Sequence, residues 1–448
     1  MRTFRSCTVI LSLILVGLGS SCSRVAEPAP QPNVLLILVD ALRADSLGVN
    51  GHSQDISPFI DSLAAEGVNF DTAISPSTWT KPSIASLFTC VYPTKHRVLR
   101  AAVANRRGLQ THVLHDRLVT MAERFQQAEY ATGAIVNQVH LKEQFGFSQG
   151  FDHYQATRRK SAPQLNLRLL AWIDSLADKK FFAYLHYLDA HWPYTQILPQ
   201  NVGRFGQIEM RSEPPGRGNR VDAWVEKLKH PLEVLPLKAR YDQEINFVDG
   251  AIGHLMTSLA ERGVLENTIV IITSDHGEGF YEHSKLQHGY APYEELIRIP
   301  LIIRLPASMR AHTGTVDTPI SLIDVMPTLL DLLQLPSEPQ CQGVSYAHQV
   351  LAKDGPQNPR VLISESIDSA AARSQDRKLI LFSDDRREFY DLKNDPLELS
   401  PKKECVKECQ QASEFLQDHL AGSVAVKSQT TDVDRQTEED LKRLGYLQ

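Results

Sequence analysis

The sequence predicts an α/β protein: a large domain built on a central sheet of buried strands, followed by a smaller C-terminal α+β unit. Three observations predict it. Residues 33–39 (NVLLILV), 180–186 (KFFAYLH) and 268–274 (TIVIITS) are short, almost continuous apolar runs, as expected of strands buried on both faces. Segments of helical period lie between them, the clearest at 241–262, stopped by Gly263. Short strand-like runs at 378–382 and 388–391 then gather near the C-terminus. A chain of 448 residues can bury a core of that size. Its net charge is −6 with Lys and Arg scattered, which argues against a nucleic-acid partner.

In chain order, Arg2 and Arg5 precede an apolar run at 9–18 that small residues close at Gly19-Ser20-Ser21-Cys22. The run is too short to favour a spanning helix and reads as a targeting leader. Small residues before a Cys resemble a bacterial lipoprotein signal. The expectation is export to the periplasm or outer surface with a lipid on Cys22, and ordinary secretion is the alternative, since Gly19 stands where Leu is commoner. Residues 23–32 (SRVAEPAPQP) read as a stiff tether. The expected organisation is leader 1–22, linker 23–32, catalytic domain 33–335, C-terminal subdomain 336–426 and a loose polar tail at 427–448. Outside the leader, Cys90, Cys341, Cys405 and Cys409 remain. In an oxidising compartment some can pair, in a connectivity the sequence does not specify, and Cys405 and Cys409 lie one helical turn apart.

The strand at 33–39 ends in Asp40, where open α/β sheets place their ligands. A helix at 60–66 follows, and then 75–93 (SPSTWTKPSIASLFTCVYP). There Pro82 suits the first turn of a helix, and Thr80 falls beside a helix N-terminus that favours anions, with Lys81 adding charge. The bland reading of an isolated T-x-P-S is an N-capping Thr. Beyond it come a helix at 115–127, a strand at 131–136, a Gly-punctuated turn at 146–151 and an amphipathic helix at 165–177. The strand at 180–186 leads into YLDAHWPY, which carries Asp189 and His191. Residues 197–237 show little periodicity and read as a long insertion near the mouth of the site. The strand at 268–274 delivers Asp275-His276-Gly277-Glu278; His283 and His288 follow, then a strand at 300–304 and a helix at 321–333 with an internal Pro.

Two buried strands far apart in sequence thus each end in an acid, with His276 and the Thr80 hydroxyl expected close by. A single His is more often structural than a ligand; the set at strand ends favours a site. Carboxylate and imidazole ligands at Asp40, Asp275 and His276 suit a divalent cation, Zn²⁺ or Mn²⁺ over Ca²⁺ or Mg²⁺, and such an ion lowers the pKa of a nearby hydroxyl. His191 and His288 either bind a second ion with Asp189 or steady the substrate and protonate the leaving group.

These segments, in this order, resemble the sulfatase branch of the alkaline phosphatase superfamily over essentially the whole mature length. NVLLILVDALRADSLG resembles its first strand and metal acid, WTKPSIASLFTCVYPTKH its nucleophile helix, and YLDAHWPY its mid-chain histidine motif. TSDHGEGFYEH and HGYAPYEELIRIPLIIR resemble its second metal segment; ISLIDVMPTLLDLL and EFYDLKNDPLEL resemble the stretches that lead into and build the C-terminal subdomain. The resemblance implies a doubly wound, mostly parallel sheet with a small C-terminal subdomain. It also implies Asp40, Asp275 and His276 as metal ligands, Thr80 as nucleophile, and His191 and His288 as substrate or second-metal residues. Lys81, Asn137 and Asp189 are the expected substrate contacts. The implied substrate is a small anionic ester, or one carried by a glycan or lipid.

The departures are informative. Sulfatases proper carry C-x-P-x-R or S-x-P-x-R, whose first residue is oxidised to formylglycine; here Thr80 stands first and Ile84 replaces the Arg. The usual Asp-Asp is Asp40-Ala41, the usual Asp-Asn is Asp275-His276, and Asn137-Gln138-Val139-His140 occupies the place of Gly-Lys-Trp-His. Cys90 replaces a common Gly, and no catalytic role attaches to it. A formylglycine hydrate expels sulfate by collapsing to the aldehyde, which a sulfo-threonine cannot do, whereas water can hydrolyse a phospho-threonine. The sequence therefore favours phosphate over sulfate esters, with a formylglycine-free sulfatase, a phospho-headgroup transferase and a degenerate glycan-binding protein as alternatives.

Overall fold

In the computed structural model the described residues are 31–100, 103–105, 108–194, 204–206, 227, 231–310, 312–352, 360–402, 407–422 and 425–444. The leader, Cys22, nearly all of the linker, most of the 197–237 insertion, and the side chains of Cys405 and Cys409 lie outside them. No helix among the described residues is long and apolar enough to cross a membrane.

An eight-stranded sheet forms the centre, in the order Gly314–Val316, Val68–Phe70, Leu301–Arg304, Thr268–Thr273, Asn33–Val39, Phe181–Tyr187, Ala131–Val136 and His153–Ala156. Asn33–Val39 runs parallel between Thr268–Thr273 and Phe181–Tyr187. Beyond Thr268–Thr273, the strand Leu301–Arg304 turns antiparallel. The apolar runs are explained by burial on both faces. Leu35 and Ile37 join one core with the helices Ala162–Asp174 and Leu235–Glu261, while Leu36 and Leu38 join another with Thr80–Thr89 and Val325–Leu332. Successive side chains along a strand point to opposite faces, so such a strand must be apolar throughout. The parallel register sets Leu38 beside both His186 and Thr273, which aligns the carboxyl ends and brings Asp40 and Asp275 together.

A separate four-stranded antiparallel sheet, Leu362–Glu365 through Arg387–Asp391, with the helix Lys407–Gly422 forms the C-terminal unit. It reaches the site through Ser77, whose hydroxyl donates to the Glu365 carbonyl at 2.7 Å.

Several expectations are corrected. The helix at 115–127 starts only at Met121, because Thr120 and Glu123 form a capping box. The helix at 241–262 starts at Leu235, with Pro236 in its first turn. The helix at 321–333 opens as a 3₁₀ turn, Leu322–Asp324, before Val325–Leu332. The tail is not loose: Gln429–Asp432 pairs antiparallel with Gly108–Val113, and the helix Arg435–Leu444 buries Thr437 and Leu441. Cys90 and Cys341 form a disulfide.

His96, just after the Thr80–Thr89 helix, is buried. Its Nδ1 accepts from the Val98 N–H at 3.0 Å, and its Nε2 faces Ser86 Oγ at 3.0 Å. Burial pushes the imidazole down from its ordinary 6.5 to about 3. The unfolded chain therefore binds the extra proton between those values, and stability is lost as pH falls through that window, by up to about 1.4 kcal/mol per pH unit. His96→Gln is expected to flatten the fall in urea midpoint between about pH 7 and about pH 5, measured against wild type.

Candidate active site

The helix Thr80–Thr89 is buried along its whole length, and its N-cap is Trp79 rather than Thr80. Thr80 is therefore the first helical residue, and its hydroxyl is 3.2 Å from His276 Nε2 instead of capping the helix. Serines hold the approach in place. Ser75 Oγ donates to the Asp275 carbonyl and lies 3.0 Å from Ser83 Oγ, and Gly289 N–H donates to the Thr78 carbonyl at 3.0 Å.

Around Thr80, His276 Nε2 lies 3.5 Å from Asp40 Oδ1 and 3.4 Å from Asp275 Oδ2. The ligand atoms of Asp40, Asp275 and His276 all fall within 4.8 Å of one another. Gly277 O accepts from His276 Nδ1 at 2.7 Å, which leaves the Nε2 lone pair facing the carboxylates. Asp40 Oδ1 and Asp275 Oδ2 are fully buried with no hydrogen-bond partner. Burial and the charge of Asp40 push Asp275 up to about 6. Two buried, facing carboxylate oxygens without donors, plus an imidazole lone pair, are the donor set a divalent cation satisfies, and burying them otherwise costs several kcal/mol. The residues present fit a divalent cation.

The other oxygen of Asp40 is already engaged. Gln138 Nε2 donates to Asp40 Oδ2 at 2.6 Å, and His186 Nε2 is 3.1 Å from the same atom, with Tyr184 OH 2.7 Å from His186 Nδ1. These outer partners orient the carboxylate. The expected Asn137 contact is corrected: Asn137 bonds the Lys160 backbone, and its neighbour Gln138 faces the site. Lys81 is also corrected. It is fully buried, its Nζ donates to Thr111 Oγ1, and it sits 4.5 Å over the Phe145 ring; burial alone lowers it to about 7. Asp189 Oδ1 accepts from Ala162 N–H at 3.2 Å at the start of Ala162–Asp174, while its Oδ2 is buried with no hydrogen-bond partner.

His191 and His288 do arrive at the site. Their rings are 4.9 Å apart, and His288 lies 4.2 Å from the His276 ring. His191 Nδ1 donates to the Trp192 carbonyl at 2.7 Å. His288 Nδ1 is 3.0 Å from Glu278 Oε1, and Tyr194 OH donates to Glu278 Oε2 at 3.0 Å. Glu278 is fully buried, and burial pushes it up to about 7. Gln138, His186, Glu278 and Tyr194 were not singled out by sequence reasoning. The signals for three of them were nevertheless present: His186 is the next-to-last residue of a buried strand, Gln138 is two residues past one, and Glu278 is two residues past His276.

Residues 32–335 match the family described as Sulfatase. The chain belongs to the sulfatase family. Residues 282–423 further match the family described as N-sulphoglucosamine sulphohydrolase, C-terminal. Among curated relatives of this sulfatase-family chain, the arylsulfatase of Clostridium perfringens is 24% identical over 83% of this chain and 90% of that protein. The ulvan-active sulfatase of Formosa agariphila is 27% identical over 74% of this chain and 68% of that protein. The crystal structure of the phosphonate monoester hydrolase of Agrobacterium radiobacter superposes with a TM-score of 0.71 at 21% identity, covering 88% of this chain and 96% of that one. Members of the superfamily are metal-dependent ester hydrolases, and Asp40, Asp275 and His276 form a group that could hold an ion here.

Proposed function

We propose that this protein is a metal-dependent hydrolase of anionic esters in which Thr80 is the nucleophile, and that phosphodiesters and phosphonate monoesters are its preferred class. The observation that carries the reading is Thr80 itself. A threonine, which cannot become formylglycine, opens the buried helix with its hydroxyl 3.2 Å from His276 Nε2, at the point where the partnerless oxygens of Asp40 and Asp275 converge.

A divalent cation held by Asp40, Asp275 and His276 would supply Lewis acidity toward the Thr80 hydroxyl and the ester oxygens. The protein's own residues do the rest. Thr80 gives its hydroxyl proton to solvent, attack joins Thr80 Oγ1 to phosphorus as the bond to the leaving alcohol breaks, and the leaving oxygen takes a proton from His288 or His191, which recovers one from the water that later attacks. Water then cleaves the threonyl ester at phosphorus and restores the hydroxyl. A threonyl sulfate has no geminal hydroxyl to collapse and must wait for attack at sulfur. The charge of the pocket bears on phosphate monoesters alone: Ile84 stands in the core where the family's Arg would be, and Lys81 turns to Thr111. Two carboxylates balanced by one divalent ion leave a neutral site, better matched to a monoanionic ester than to a dianionic phosphate monoester.

The proposed compartment is outside the cytoplasm, with Cys22 as the lipid attachment point, and the Cys90–Cys341 disulfide supports an oxidising location. The proposed natural substrate carries its ester on a glycan or lipid. The test is turnover of p-nitrophenyl sulfate, phosphate, methyl phosphodiester and phenylphosphonate by the metal-loaded protein lacking its leader. Phosphodiester and phosphonate turnover well above sulfate is expected. Sulfate turnover above both would overturn the preference and mean a sulfatase working without formylglycine. Failure on every ester, with metal bound, would overturn the hydrolase reading in favour of a transferase or a binding protein.

A further inference from the structure

Residues 429–444 lie beyond both family matches, which end at 335 and 423, yet they pack against the segments that carry the site. The strand Gln429–Asp432 sets Thr431 opposite Thr111, the residue that accepts from Lys81. Asp434 then caps the helix Arg435–Leu444, accepting from Thr437 N–H at 2.8 Å, and Gln144 Nε2 donates to its other oxygen at 3.1 Å. A polar helix of ten residues is marginal alone. This one is held by its buried face. Thr437 accepts from Lys142 Nζ, and Asp440, 3% exposed, takes Arg158 Nε at 2.8 Å and a second guanidinium nitrogen at 2.6 Å. Leu441, 1% exposed, packs with Val139, Leu188 and Val433.

Two of these partners, Val139 and Leu188, border site residues. Val139 sits between Gln138, which holds Asp40, and His140, whose ring meets Trp79 edge-on at 5.6 Å. Leu188 precedes Asp189 and the turn to His191. Arg158 follows Thr157, and the loop they share bonds Asn137 through Thr157 Oγ1 and Lys160 N–H. We propose that the C-terminal strand and helix are a positioning element of the active site, with Asp440 and Leu441 as positioning residues that hold residues 137–141 and the 188–191 turn in register around Asp40 and His191. The inference rests on the reading of Asp40 and Thr80 as the reacting centre. A buried, doubly bonded carboxylate is costly unless its pairing is specific, so the docking is a defined one. A small displacement of groups that orient a reacting centre is enough to cost activity.

The test uses the full mature chain. Leu441→Ala and Asp440→Ala are expected to lower kcat by about 10–100-fold with KM and Tm little changed, and to speed amide exchange at residues 137–141. Leu441→Met is expected to restore both readouts. Arg158→Ala combined with Asp440→Ala is expected to cost no more than the worse single change. Lys442→Ala, on the exposed side of the same helix, is expected to behave as wild type. Unchanged kcat, with faster exchange confined to 429–444, would overturn the proposal. If wild type turns over no ester, the hydrolase reading fails separately. The exchange arm still decides this one: unaltered protection at 137–141 in Leu441→Ala would overturn it, and lost protection would uphold it.

Discussion

Thr80→Ala is expected to reduce turnover by about 10⁴-fold or more while leaving the fold intact. The change removes the attacking oxygen, with its 3.2 Å contact to His276 Nε2, and one methyl group. Ala is at least as good as Thr in a first helical turn, Thr80 makes no N-cap, and the serine hydrogen bonds that pin the approach belong to Ser75 and Ser83. Tm is therefore expected to move by only a few degrees at most. Thr80→Ser keeps a hydroxyl in the same place and is expected to retain measurable turnover of the same esters. Steady-state kinetics on the best p-nitrophenyl ester checks both. An Ala variant within about tenfold of wild type would place the nucleophile elsewhere.

Loss of the Cys90–Cys341 disulfide is expected to cost the most stability of any change considered. The link spans 251 residues of chain, and the loop-entropy estimate for closing such a loop is about 5 kcal/mol. It also fastens the end of the Thr80–Thr89 helix. Cys90 is the C-cap, in the left-handed region at φ 61°, its carbonyl accepts from Gln342 N–H at 2.8 Å, and Gly343 beside it leaves no room for a Cβ, which would come within 2.4 Å of the Ile323 carbonyl. The Cys90→Ser/Cys341→Ser double variant is expected to melt well below wild type and to become insensitive to reductant. Reductant that leaves the wild-type Tm unchanged would contradict the assignment.

The strands were legible because burial on both faces forces an unbroken apolar run, and residues 33–39 and 268–273 show one. Asp40, Asp275, His276 and Thr80 were legible because strand ends and a helix start place them, and the parallel register completes the assembly. What failed was side-chain direction. Asn137 and Gln138 are neighbours in a loop just past a strand, where no period says which one faces Asp40. Lys81 follows Thr80 on a helix, so it points roughly 100° away and reaches Thr111, a contact set by a distant strand. One oxygen of Asp189 is taken by a helix that starts 27 residues earlier. The tail was misread for a related reason: Leu441 is one apolar residue in a polar stretch, and the forces that dock it come from Val139, Leu188 and Arg158, hundreds of residues away in sequence. The start at Leu235, by contrast, carried a local signal in Pro236 that the apolar period from Tyr241 obscured.

The measurement that tests the central claim most directly is a search for a covalent threonyl ester. Metal-loaded protein would be mixed with the fastest p-nitrophenyl phosphonate or phosphodiester, quenched in acid during the first turnovers and mapped by peptide mass. The prediction is a phosphonyl or phosphoryl group on Thr80, formed as fast as nitrophenolate is released in a burst. Rapid turnover with the Thr80 peptide unmodified at every quench time, and no burst, would contradict it.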